Sequence, residues 1–139
     1  MLSEEGKKVK SELERLSQAK RRLRNLQEEL QNWEELSGVL KSSTIGEVVG
    51  GGAREPYAEK RIIKIEQLTE AIEKAIDEAI ALENTFLKHL SLLDPLSQNL
   101  LMERYMSGKS IGRIMRDFKY SRAQVFRLYD NLFEEVAEN

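Results

Sequence analysis

The sequence predicts an all-α protein: a long N-terminal helical hairpin of coiled-coil character, then a C-terminal domain of three short helices. Three observations predict it. Two long stretches carry apolar residues at alternating spacings of three and four. The last third repeats a grammar of helix caps and stops. A chain with 33% charged and only 6% aromatic residues suits elongated helices better than one large globular core.

The first helix is read from Val9 to Leu40. A heptad places Val9, Leu16, Leu23, Leu30 and Ser37 at one seam position and Glu12, Ala19, Leu26, Trp33 and Leu40 at the other, with Leu13 and Leu36 widening the stripe. Such a helix, about 45 Å long over thirty residues, is adhesive along nearly its whole length and is not stable alone. A second helix from Glu55 to Ser91 repeats the pattern, with Ile65, Ile72, Ala79 and Phe86 in one row and Leu68, Ala75 and Leu82 in the other. Ile62, Ile76 and Leu90 broaden it. Antiparallel pairing of the two is the simplest solution, and it leaves apolar surface over. Leu16, Leu23, Leu26, Leu30 and Trp33 are therefore the candidate oligomerisation residues, and a homo-oligomer, a dimer first, is the expected assembly. The connection, residues 37–56, holds Ser42-Ser43-Thr44, Val48-Val49 and Gly50-Gly51-Gly52 and reads as mobile. The expected division is thus 1–91 for the hairpin and 92–139 for the C-terminal domain.

Asp94-Pro95 is a helix start, an acceptor side chain followed by a proline tolerated in the first turn. Leu96, Leu100, Leu101 and Tyr105 follow at helical spacing, and Ser107-Gly108 supplies a residue able to take positive φ where the helix stops. Ser110 caps a short second helix with Ile111, Ile114, Met115 and Phe118 on one face, ending near Lys119-Tyr120. Ser121 caps a third, whose stripe is Val125, Leu128, Leu132 and Val136 with Tyr129 beside it. This order is a helix-turn-helix. The opposite face of the third helix carries Tyr120, Ala123, Gln124, Arg127 and Asn131, with Arg122 to one side at the exposed end.

Those side chains suit double-stranded DNA: Gln pairs two-pronged with adenine and Arg with guanine, while a helix N-terminus and flanking cations hold phosphates. Between Leu100 and Tyr129 seven basic residues (Arg104, Lys109, Arg113, Arg116, Lys119, Arg122, Arg127) stand against Glu103 and Asp117, in a chain whose net charge is −2. The candidate DNA-binding set is Lys109, Arg113, Arg116, Lys119, Tyr120, Ser121, Arg122, Gln124, Arg127 and Asn131. A second basic run from Lys7 to Arg24 reads first as the solvated face of a coiled coil and second as another DNA contact.

The run from Leu101 to Ser110 (LMERYMSGKS), Ile114, Tyr120-Ser121, and Val125 to Tyr129 (VFRLY) resembles region four of bacterial sigma factors, whose corresponding helix reads the promoter −35 element. The closer likeness is to small sigma-like late-gene regulators of phages and prophages in Gram-positive bacteria, of the ArpU and RinA type. It extends to Gly50-Gly51-Gly52 and to Tyr57, Ala58, Glu59 and Lys60, about two thirds of the chain. The resemblance implies a sequence-specific transcription regulator in the bacterial cytoplasm, with host RNA polymerase as a further partner. A segment for reading the −10 element or binding core polymerase is missing, so a promoter-melting sigma factor is not implied. A small terminase subunit, which also joins a helix-turn-helix to oligomerising helices, and a coiled-coil adaptor that binds only protein are the alternatives.

Enzymatic chemistry finds little footing. Gly108-Lys109-Ser110 ends like a phosphate loop, but Glu103 stands where the first glycine belongs and no strand precedes it. His89, the sole histidine, lies on a helix seam and reads as packed or half-buried. The adjacent pairs Glu28-Glu29, Glu34-Glu35 and Glu134-Glu135 diverge by about 100° on a helix and cannot converge on one metal or substrate. No cofactor or metal is expected. Phe126, Tyr129 and Phe133 read as packing residues flanking the core stripe. The absence of cysteine and of any run of about 18 apolar residues argues against a disulfide scaffold, a membrane span and a signal peptide.

Overall fold

A computed structural model describes residues 2–45 and 55–139, and side-chain surroundings for 2–36 and 58–139. The described residues are all-helical: α1 (Glu4–Ile45), α2 (Glu55–Leu90), α3 (Pro95–Leu101), a π-helical continuation of α3 termed π1 (Met102–Met106), α4 (Ile111–Phe118) and α5 (Arg122–Glu138). Of the connection expected over 37–56, residues 37–45 are helical, since α1 continues through Ser42, Ser43 and Thr44 to Ile45, and α2 begins at Glu55. No proline lies in 37–45, serine and threonine cost only tenths of a kcal/mol each in a helix, and Gly38 costs about 1 kcal/mol. Val48-Val49 and the three glycines lie outside the described residues.

The chain divides into two compact units, one of Met1–Lys20 with Glu78–Asn139 and one of Arg21–Asp77. In the first, Val9, Leu13 and Leu16 of α1 and Phe86 and Leu90 of α2 share one core with Leu100, Leu101, Tyr105, Ile114, Val125, Tyr129, Leu132, Phe133 and Val136. Three short helices have too little interior to bury their own apolar faces, and the ends of the long helices complete it. Leu16, 1% exposed, belongs to this intramolecular core. Glu12, given a seam position by the heptad, is exposed. Leu13 is buried instead, so Val9, Leu13 and Leu16 follow the 3.6-residue period of a straight helix on a broad surface.

Specific polar contacts fix this packing. The Tyr129 hydroxyl, buried, donates to the Leu100 carbonyl at 2.7 Å, next to the change from α to π register. Burial raises the Tyr129 hydroxyl pKa and pushes that of Tyr105 up to about 12. The two rings meet edge to face, 6.4 Å apart. At the N-terminus, Ser3 donates through its N–H (2.7 Å) and hydroxyl (2.9 Å) to the Glu134 carboxylate on α5. The Ser3 hydroxyl also accepts from Gly6 N–H at 3.0 Å. Gly6 is buried here, and a methyl group in its place would collide with the Glu134 carboxylate.

The second unit has a thinner interior. Leu68 and Ala75 are buried, whereas Leu23, Leu26, Leu30 and Trp33 are only half-buried.

Two outcomes follow from the core. Leu16→Ala is expected to lower stability by about 2–5 kcal/mol and to alter the near-ultraviolet dichroism of Tyr105 and Tyr129. A variant that melts like its parent would place Leu16 outside the core. Gly6→Ala, which at an open helix position would stabilise by about 1 kcal/mol, is expected to give no gain in thermal melts. In a Glu134→Ala background the gain should appear; a gain in the unaltered background would refute the Ser3–Glu134 clamp.

Candidate nucleic-acid interface

The local sequence builds the helix-turn-helix as its caps dictate. Asp94 and Ser110 adopt extended backbone and accept at the N3 amides of α3 and α4, the latter from Arg113 N–H at 3.1 Å. Gly108, at φ 72°, turns the chain out of π1. Ser121 and Gln124 form a reciprocal capping box at the start of α5: Gln124 N–H donates to Ser121 Oγ (3.2 Å) and Ser121 N–H donates to Gln124 Oε1 (2.9 Å).

Several candidate DNA ligands are committed to this framework. The Lys109 ammonium is ion-paired with Glu103 and, at 3.1 Å, with Asp117, which also lies 3.5 Å from Arg113. Arg104 donates to the Lys109 carbonyl at 2.8 Å. Lys109 therefore staples the turn, and Arg113 shares its charge with Asp117. Tyr120 is half-buried, its ring stacked on Phe118 with centroids 6.2 Å apart, because the turn folds it back onto α4. Gln124 is exposed, but its side-chain oxygen already accepts from Ser121 N–H, so two-pronged adenine pairing has to share that oxygen with the cap. Ser121 serves as the cap.

The remainder form one accessible group. Arg116, Lys119, Arg122 and Arg127 are exposed, and among the described residues none of them forms an ion pair. Ala123, Gln124, Arg127 and Asn131 are exposed on the α5 face opposite the buried Val125, Tyr129, Leu132 and Val136. The amides of Arg122 and Ala123, in the first turn of α5, precede the first residue able to bond within the helix.

Two features were not anticipated. Lys119 adopts a left-handed conformation, φ 58° and ψ 43°, closing α4 with Tyr120 N–H donating to Met115 O at 3.1 Å. A non-glycine residue there costs about 1–2 kcal/mol, and nothing in the residue type announces it. Phe126, assigned to packing, is 44% exposed, with the Arg122 guanidinium 5.3 Å over its ring. His89 matches its reading: half-buried, with Nε2 3.7 Å from a Glu12 carboxylate oxygen. Among the described residues no helix is long and apolar enough to cross a membrane.

The staple has a pH signature. The hydrogen bond from Lys109 lowers the Asp117 pKa below its ordinary 3.8, and Ser97 does the same for Asp94. Hydrogen bonds to Glu103 and Asp117 raise the Lys109 pKa above 10.5. The carboxylates stabilise fully above 3.8 and lose that contribution as pH falls through their lowered values. Lys109 contributes below 10.5 and loses it as pH rises through its raised value. Melting temperature should therefore fall as pH drops below the ordinary carboxylate value of 3.8, and Asp117→Asn should flatten that limb. An unchanged limb would remove Asp117 from the staple.

Comparison with protein-family profiles, with curated proteins and with solved structures finds no match to this chain.

Proposed function

We propose that the protein is a sequence-specific DNA-binding transcription regulator that sets the N-terminal half of α5 into the major groove. The observation that carries this is the exposed group of Arg116, Lys119, Arg122 and Arg127, without ion pairs among the described residues, around a polar face on a helix fixed by core packing and a capping box. Arg127 faces a base edge, with guanine its natural two-pronged partner, and Asn131 and the Gln124 amino group read beside it. Arg116, Lys119, Arg122 and the first α5 amides hold phosphates and fix the register. The likeness of residues 101–129 to sigma region four supports transcription as the setting and host RNA polymerase as a second partner.

Selection of bound duplexes from a random pool, followed by binding at graded salt, tests the reading. Arg127→Ala should relax preference at one base pair by about 1–3 kcal/mol, whereas Arg116→Ala should weaken all duplexes and reduce the salt slope by about one. Lys119→Gly is the sharper variant. It should stabilise the fold by about 1–2 kcal/mol by relieving the left-handed backbone while weakening binding to every duplex. No enriched sequence, or variants that bind like the parent, would refute DNA reading by α5.

A further inference from the structure

Of the three aromatic rings on α5, Tyr129 and Phe133 are buried in the core, whereas Phe126 is 44% exposed and lies outside it. Its ring is covered instead by a cation: the Arg122 guanidinium, one turn earlier on the same helix, stands 5.3 Å from the ring centroid.

Arg122 is placed where the fold gains little from it. In the first turn of α5 a cation opposes the helix dipole, no acidic residue shares that turn, and among the described residues Arg122 makes no ion pair. A carboxylate partner would neutralise its charge. An aromatic face orients the guanidinium and leaves the charge and the N–H donors at its edge available.

Position round the helix gives the direction of that orientation. With Arg127 toward the bases, Arg122 projects about 140° away and Phe126 about 100° away on the same side, at roughly 100° per residue. Lying over the ring therefore swings the guanidinium toward the flank of α5. The major groove, about 12 Å wide, closely fits a helix about 10–12 Å across, so the flank meets the sugar-phosphate wall rather than base edges.

We propose that Phe126 is a positioning residue, whose ring holds the Arg122 guanidinium on the flank of α5, set for a phosphate of the groove wall before DNA arrives. The proposal rests on the DNA reading of α5 and adds to it a residue that reads no base. An unrestrained arginine loses rotamer freedom when it docks, and prior ordering removes that loss, a gain of about two- to tenfold in affinity shared by all duplexes.

A double-mutant cycle on the full chain tests this, with a duplex recovered by selection and a scrambled duplex as the probes. Phe126→Leu should weaken both about two- to tenfold, keep the base preference and melt close to the parent, since the ring lies outside the core. In an Arg122→Ala background the same change should cost nothing further. Phe126→Trp, which keeps an aromatic face, should bind like the parent. In the free protein the Arg122 δ-protons should be shifted upfield by the ring current and lose that shift in Phe126→Leu. Equal losses with and without the Arg122 side chain, a Trp variant as weak as the Leu variant, or δ-protons unmoved by Phe126→Leu would each overturn the proposal while leaving DNA binding by α5 in place. Failure of the unaltered chain to bind any duplex would refute the DNA reading, and the proposal with it.

Discussion

Burial of the Val9, Leu13 and Leu16 stripe, with Phe86 and Leu90, against the three C-terminal helices is the constraint on which the first unit depends. Leu16, Phe86, Leu101, Ile114 and Val125 are each below 2% exposed. Burying each contributes about 1.5–3 kcal/mol before the entropy of ordering is set against it. That burial holds α5 from one side and lets its other face remain polar. The Tyr129–Leu100 bond and the Ser3–Glu134 clamp fix position within a core that apolar contact has already assembled. A helix that meets a ligand with a fixed face loses little further freedom on binding.

Charge in the C-terminal domain is divided between two tasks. Glu103, Lys109, Asp117 and Arg113, with the Arg104 bond to the Lys109 carbonyl, stitch the turn between π1 and α4. Exposed pairs of this kind contribute modestly one by one, so the staple acts as a network that selects turn geometry. Arg116, Lys119, Arg122 and Arg127 make no ion pair among the described residues and keep their charge outward. The left-handed backbone of Lys119 belongs with this second group, since glycine would close α4 with less strain and carry no charge.

Much of the fold was legible because its signals are local. Asp94, Ser110 and Ser121 as caps, Gly108 as the positive-φ residue and the α5 stripe all follow from residue type and spacing. What escaped depends on partners distant in sequence. No heptad rule reveals that Leu16 joins the buried core of the first unit while Leu23 stays half-buried, because the period is the same and only the surroundings change. The charge count treated Lys109 as equivalent to Arg116, although a carboxylate eight residues on claims the first. Gln124 was read only as a reader of bases, although its place three residues after Ser121 also fits the N3 member of a capping box, and that role engages the same oxygen. The helical extension to Ile45 was missed because serine and threonine were weighed as loop residues where no proline or adjacent glycines enforce a break.

The function proposed for this protein turns on the N-terminal half of α5 as the surface that meets DNA. Amide nitrogen–proton spectra of the full chain, titrated with a duplex recovered by selection, test it most directly. The largest shifts are expected on Arg116, Lys119 and the residues from Arg122 to Asn131, with Leu68 and Ala75 of the second unit unmoved. Shifts concentrated on the Lys7–Arg24 segment, or none at all on α5, would contradict it.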